Sequence, residues 1–566
     1  MKSIIHGWGL FSGLVLLLFW SCGQEAIPER SNLLRIQVSG EVDILNPALS
    51  RLSVSTFIEK QMLLPLAKWD NQTKTWIPVL IQSYQPRITR DGVDYPLTTR
   101  LQARWSDGHP VTLNDIVYTI KMGLNPYISH QSWAAYLSLI SDIRTTGDTL
   151  VLTMETPYIL ADEFIAGLTP YPAHRMDSTS ILDSIPFSSF LSGRFTEEED
   201  QRLQKLAQAF NSHGSPEQWP KPVSGLFQVS NWIPGQQITL DRVDNFWGEN
   251  QADVKTLFDT NIDSVQFVII PDPQNALHAF TSGAIDILSV IDDRDSALLA
   301  SFSGEVHDVP TLQMFYLAVN NTHPLLGNKI IRQALNKAIN REDIINRLFH
   351  GRGKSAFGPI HPDKSYYTAF PVEFDPVEAR RELEAIGCQD IDGDGILECP
   401  VKDKLMELTL GIWTTRSQLS RNVATLIKGY WKSIGVNLEI QSADFRSFLP
   451  ELQNKSYDLA ALALRQNNLL DDPFPLWHSS QSDAAGKNYQ GLSNDSIDLV
   501  LEHLRESVIP EDQAYYYNEL QNLFAEQVPV FFLVAPDEAI AVRDGIDLYW
   551  SSQRPGYDLL RSKINR

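Results

Sequence analysis

Between Leu97 and Lys121 the chain reads LTTRLQARWSDGHPVTLNDIVYTIK, an order of signals that few folds accept. Leu97, Thr99, Leu101, Ala103 and Trp105 alternate with Thr98, Arg100, Gln102 and Arg104, the period-two pattern that predicts a half-buried strand. Ser106, Asp107 and Gly108 supply turn chemistry, and Pro110 stops the strand. Thr112 and Asp115 have capping-box spacing, and Leu113, Ile116, Val117 and Ile120 follow at helical spacing. This strand, turn and capped helix cannot stand alone in 566 residues. Single cores stop growing near about 250–300 residues, so two or three lobes are expected.

The first residues read as a targeting segment. Lys2 precedes an apolar run from Leu10 to Trp20, too short to span a bilayer but suited to a signal peptide covering 1–21. Phe19-Trp20-Ser21-Cys22-Gly23 is similar to a bacterial lipobox, although Phe19 and Trp20 depart from its preferred residues. Cys22 is therefore the expected lipidation site, two acyl chains would anchor the protein stably, and 22–32 is a polar tether. The expectation is an exported protein, lipid-anchored to the bacterial membrane on its periplasmic or cell-envelope face. A formal net charge of −22 argues against nucleic acid as a partner, because phosphate binding needs clustered Lys and Arg.

Catalytic signatures are sparse. No G-x-S-x-G occurs, the 12 His show no H-E-x-x-H spacing, and Gly353-Lys354-Ser355 lacks the upstream glycine of a P-loop, with Leu348 in its place. The expectation is a protein that is not an enzyme. Asp390, Asp392 and Asp394 in DIDGDG match the first half of a calcium loop, but Val401 stands where the bidentate glutamate belongs. A structural calcium and a plain acidic turn both remain open; no other cofactor is expected. Cys388 and Cys399 flank this loop and would close it as a disulfide in an oxidising compartment.

The WSDGHPVTLNDIVYT wording resembles the extracellular solute-binding proteins, family 5, of peptide/nickel-type ABC transporters. Pro222-Val223-Ser224-Gly225, Asp241-Arg242-Val243-Asp244-Asn245-Phe246-Trp247 and ALHAFTSGAIDIL (276–288) are similar to later family segments. So is Ile331-Arg332-Gln333-Ala334-Leu335-Asn336-Lys337-Ala338-Ile339, more than two hundred residues beyond the first anchor and in the family's order. The resemblance runs from about Leu34 to Val534.

It implies a mixed α/β, class C periplasmic-binding-protein-like fold: two hinged lobes and an extra small domain. Lobe I would comprise 33–80, 222–308 and 528–566, the small domain 81–221 with an insertion at about 177–221, and lobe II 309–527. The implied function is capture of a solute, foremost oligopeptides, in an interlobe cleft for delivery to an ABC permease and ATPase, by a monomer. Nickel chelates, haem, sugars or opine-like anions are alternative solutes, and a tethered hydrolase or a signalling module the alternatives of another class. Family members that hold a peptide ammonium use an Asp after one lobe II strand. Here the two ways of counting reach Asn467 and Leu469, neither acidic, with Asp471 close by. Arg465 and Gln466 sit where the cleft is expected, and an Arg there suits a ligand carboxylate or phosphate. Tyr316, Asn320, Trp413 and Trp477 are further ligand candidates by position in the resemblance.

Overall fold

In the computed structural model, residues 32–565 are described except 71–72, 91, 130–132, 290–302, 484 and 552, so Cys22 and the targeting segment lie outside the described residues. One 12-stranded mixed sheet runs through both lobes. Its lobe I part holds Leu33–Val38 between the parallel strands Ser264–Ile269 and Ile287–Ser289, with Gln237–Arg242 and Phe227–Ile233 added antiparallel beyond Ser264–Ile269. Its lobe II part carries Gln313–Val319, Leu459–Arg465, Thr409–Thr414 and Asn437–Ser442.

Lobe II strands are covered on both faces, which is why they read as continuous apolar runs. Along Gln313–Val319, Met314, Tyr316 and Ala318 enter one core with Trp477, Phe524 and Phe532. Leu317 and Val319 enter the opposite core with Ile427, Trp431 and Phe531. Helix Gln418–Lys432 supplies Ile427 and Trp431, and Ser417 caps its start by accepting the Ser420 N–H at 3.1 Å.

The small antiparallel sheet, in the order Arg87–Thr89, Gly92–Leu97, Thr149–Met154, Asp142–Thr146, shares a core with lobe I. Here the sequence reading needs correction. The strand ends at Leu97 instead of running to Trp105, and Leu101 is 74% exposed. Arg100, assigned to the solvent face, is the buried residue: its guanidinium donates to the Val79 and Pro78 carbonyls and pairs with Asp253 at 2.8 Å. Satisfying that cation turns the chain off the pleat. Helix Leu113–Gly123 follows as read, with the Thr112 N–H donating to the Asp115 carboxylate at 2.7 Å. Helix Ser53–Met62 is followed by strand Ala67–Asp70, which pairs with Thr75–Pro78. Within 177–221, Ile185, Phe190, Leu203, Leu206 and Phe210 pack on Tyr118 and Met122 in a core the segment shares with helix Leu113–Gly123.

Two stretches carry the chain between the lobes. Gly304–Pro310 in lobe I leads into Gln313–Val319 in lobe II through Leu312, whose φ is 53°. The 14-residue strand Val530–Arg543 makes the return. It pairs with Gln313–Val319 through Val530 to Val534, then with Gly304–Pro310 from Asp537 onward and with Ile287–Ser289 through Ile540 to Val542. Thr311 fastens the two crossings: its hydroxyl donates to the Pro536 carbonyl at 2.7 Å.

Candidate functional site

The pairing registers fix which strand ends meet at the crossings. Ser289 lies opposite Ile540 and Ile287 opposite Val542, so Ile287–Ser289 and its parallel neighbour Leu33–Val38 direct their carboxyl ends toward lobe II. In lobe II Arg465 pairs with Gln313 beside the crossing, so Leu459–Arg465 and its parallel neighbour Thr409–Thr414 direct their carboxyl ends back. Open α/β sheets bind ligands outside such carboxyl ends. Here two sets of them face one another across a two-stranded hinge.

Arg465, Gln466, Asn467, Leu469 and Trp413 lie at this end. Arg465 is exposed, and its Nε–H donates to the Gln313 side chain at 3.0 Å. Gln466 is buried and splices loop to hinge: its N–H donates to the Leu312 carbonyl, its Nε2 to the Pro359 carbonyl, and its Oε1 accepts the His361 N–H. Asn467 is exposed. Trp413 is half-buried and stacks on Phe448 with ring centroids 5.7 Å apart.

The other three candidates are spent on lobe II packing, a correction to the ligand role offered for them. Trp477 is 1% exposed and Tyr316 5%, edge to face with each other in the core. Asn320 is at the far end of its strand, where its amide donates to the Lys455 and Tyr457 carbonyls and its Oδ1 accepts from Thr322. A buried amide so fully partnered has nothing left for a solute.

The structure also assembles groups that the sequence did not bring together. Segment 158–168 buries Ala161, Ile165 and Leu168 in the lobe I core and Ile159 and Leu160 in the lobe II core. Its Glu163 carboxylate accepts the Leu469 N–H at 2.8 Å. Burial pushes Glu163 up to about 7 against the opposing effect of the Leu469 and Leu470 N–H groups. Asp471, also raised by burial, accepts the Tyr366 hydroxyl at 2.6 Å and faces Lys364 at 3.4 Å. Asp472 takes the Tyr158 hydroxyl at 3.2 Å and the Arg505 guanidinium at 3.3 Å, while Arg505 lies over the Phe474 ring. Carboxylates from both sides of the cleft thus converge where the sequence reading found only Asn467 and Leu469. Glu163 carried no local signal, since an acid in a helix's first turn is ordinary capping.

Away from the cleft, Cys388 and Cys399 are joined by a disulfide. Asp390, Asp392 and Asp394 bring one oxygen each within 4.8 Å of one another. Those side chains also accept N–H groups of the same loop, Asp390 from Gly393 and Gly395, Asp392 from Asp394, and Asp394 from Ile396.

Residues 75–486 match the family described as bacterial extracellular solute-binding proteins, family 5 Middle. The chain belongs to that family. The chain is similar to the oligopeptide-binding protein AppA of Bacillus subtilis, 23% identical over 92% of this chain and 89% of that protein. The periplasmic oligopeptide-binding protein OppA of Escherichia coli is 24% identical over 79% of this chain and 77% of its own length. Among solved structures, the ABC transporter substrate-binding protein CtaP of Listeria monocytogenes superposes with a TM-score of 0.73 at 19% identity, covering 95% of this chain and all of CtaP. NikZ of Campylobacter jejuni in complex with Ni(L-His) gives 0.64 at 20% identity, over 92% of this chain and 95% of NikZ. The two-lobed, mixed α/β binding-protein architecture read from the sequence is therefore the fold of this chain, and its family is one of solute binders.

Proposed function

We propose that the chain captures short peptides in the interlobe cleft and delivers them to the permease of an ABC importer, without chemistry on the peptide. The observation that carries this reading is the pair of crossings, toward which parallel strands of both lobes direct their carboxyl ends. Such a hinge lets two rigid lobes close on an extended solute, bury it, and present one closed face to a membrane partner. Main-chain hydrogen bonds would supply affinity, and wet pockets would tolerate varied side chains. The exposed Arg465 at the cleft end suits the carboxylate of a zwitterionic peptide. The names of AppA and OppA, oligopeptide-binding proteins both, support the choice of solute.

Arg465 also favours a second reading, an anionic solute such as a metal chelate with free carboxylates. Native mass spectrometry of the lipid-free protein as purified, followed by denaturation, separates the two. Released peptides, with a pooled di- to pentapeptide mixture raising the melting temperature, uphold the first reading. A released chelate or anion, with no shift from the pool, replaces it with the second. Peptides recovered intact after incubation uphold capture without turnover, and cleavage products would refute it. Tethering through Cys22 belongs to the same proposal; globomycin should block processing of the precursor, and unchanged processing would remove the anchor.

A further inference from the structure

We propose that Asp107, His109 and His174 form a binding site for a divalent transition-metal cation of the zinc or nickel class, in the small lobe and separate from the solute cleft. The Asp107 carboxylate lies between two imidazoles. Its Oδ1 is 3.3 Å from His109 Nδ1, and its Oδ2 is 2.9 Å from His174 Nε2. The two rings stack face to face with centroids 4.3 Å apart, and one ligand atom from each residue falls within 4.8 Å of the others. Four ligands at zinc–nitrogen and zinc–oxygen distances of about 2.0–2.1 Å sit about 3.3 Å from each other. The two short separations run to different oxygens of Asp107 and the two ring planes are only 21° apart, so one imidazole must rotate for both lone pairs to meet on a metal; the largely exposed His109 ring has the room to do so.

The donor set is chemically selective. Two imidazoles and one carboxylate suit zinc, nickel or copper, whereas calcium and magnesium prefer all-oxygen cages. The ligands are also held in place. Asp107 accepts the His109 backbone N–H at 3.1 Å across the Gly108 turn, whose φ of 88° a side chain would strain. His174 is fixed through its neighbour, because the buried Asp115 carboxylate accepts the Ala173 N–H at 2.8 Å. Asp115 also takes the Thr112 N–H, so one carboxylate ties the turn, the helix it caps and the His174 segment together. Ligands held in place before the metal arrives lose less conformational freedom on binding it. A cavity of about 360 Å³ opens beside the imidazoles and is lined by Thr112, Asn114, Asp177 and Ser180, polar room for waters that complete the coordination. The His109 ring is largely exposed, pairs with Asp107 and stacks on His174.

The test uses the whole mature protein, stripped with chelator and titrated calorimetrically with zinc chloride alone. One equivalent should bind, and His109→Ala should weaken it at least tenfold with the unfolding temperature of the metal-free protein unchanged. Asp107→Asn should weaken zinc similarly, while Asp390→Asn in the acidic loop should leave it intact. Any thermal shift given by the peptide pool should be the same in His109→Ala and the parent, which keeps this site distinct from the cleft. Equal zinc affinity in His109→Ala and the parent, or no zinc bound by the parent, overturns the proposal.

Discussion

The Glu163 carboxylate and the Leu469 N–H meet at 2.8 Å, an acid on the wedge of segment 158–168 receiving a backbone donor of lobe II. Burial lifts this carboxyl from an ordinary 4.5 to about 7. In the unfolded chain it ionises near 4.5, so between about pH 4.5 and 7 the native state holds a proton that the unfolded state has released. Its contribution to stability therefore falls as pH rises through that window, and the cost is complete above about pH 7. Glu163→Gln keeps an acceptor for Leu469 and removes the charge. It should be more stable than the parent at pH 8 by about 1–2 kcal/mol, after discounting for water at a half-buried side chain, and equal to it near pH 4. Guanidinium denaturation of both proteins across that range checks this.

Arg465 and Trp477 should separate cleanly. Trp477→Ala empties a core position and should cost about 3–5 kcal/mol of unfolding free energy. Arg465→Ala removes an exposed side chain whose one neighbour of note is Gln313, and stability should move by less than about 0.5 kcal/mol. Solute affinity should respond in the opposite order, read by titrating whatever ligand is released from the purified protein.

The Thr311 fastening of the hinge can be cut. Thr311→Val leaves the Pro536 carbonyl without its hydroxyl donor and takes from the Gln313 N–H the oxygen that accepts it at 3.2 Å. Urea denaturation should register a loss of about 1–3 kcal/mol, and Thr311→Ser should restore most of it.

The disulfide closes a short loop of sequence separation 11. The double variant Cys388→Ser, Cys399→Ser should lose about 3 kcal/mol on the chain-entropy account. Its urea midpoint should also become insensitive to reductant, while the parent's falls when dithiothreitol is added.

Legibility followed the distance over which each residue's partner acts. The Thr112 cap and the apolar stripe of Ile331, Ala334, Leu335 and Ala338 are local, and both were readable. Arg100 was misplaced because the carbonyls that bury it, Val79 and Pro78, lie 21 and 22 residues back, across a turn that alternation does not reveal. Glu163 and Leu469 are 306 positions apart, and neither residue's surroundings hint at the other. Tyr316 and Trp477 show the reverse problem: aromatic residues near a cleft in a family pattern look like ligand platforms, and only burial shows that they hold a core together.

The return strand also governs the order in which the molecule can be assembled. Ile287–Ser289 has Leu33–Val38 on one side and, on the other, residues 540–542, which leave the ribosome more than two hundred residues later. Until then the first lobe keeps an unpaired edge, whatever the rest of the chain has done. Synthesis from the amino end thus yields a lobe that stays open to unfolding until only about the last twenty-fourth of the chain remains to be made, and closure is a late, long-range event.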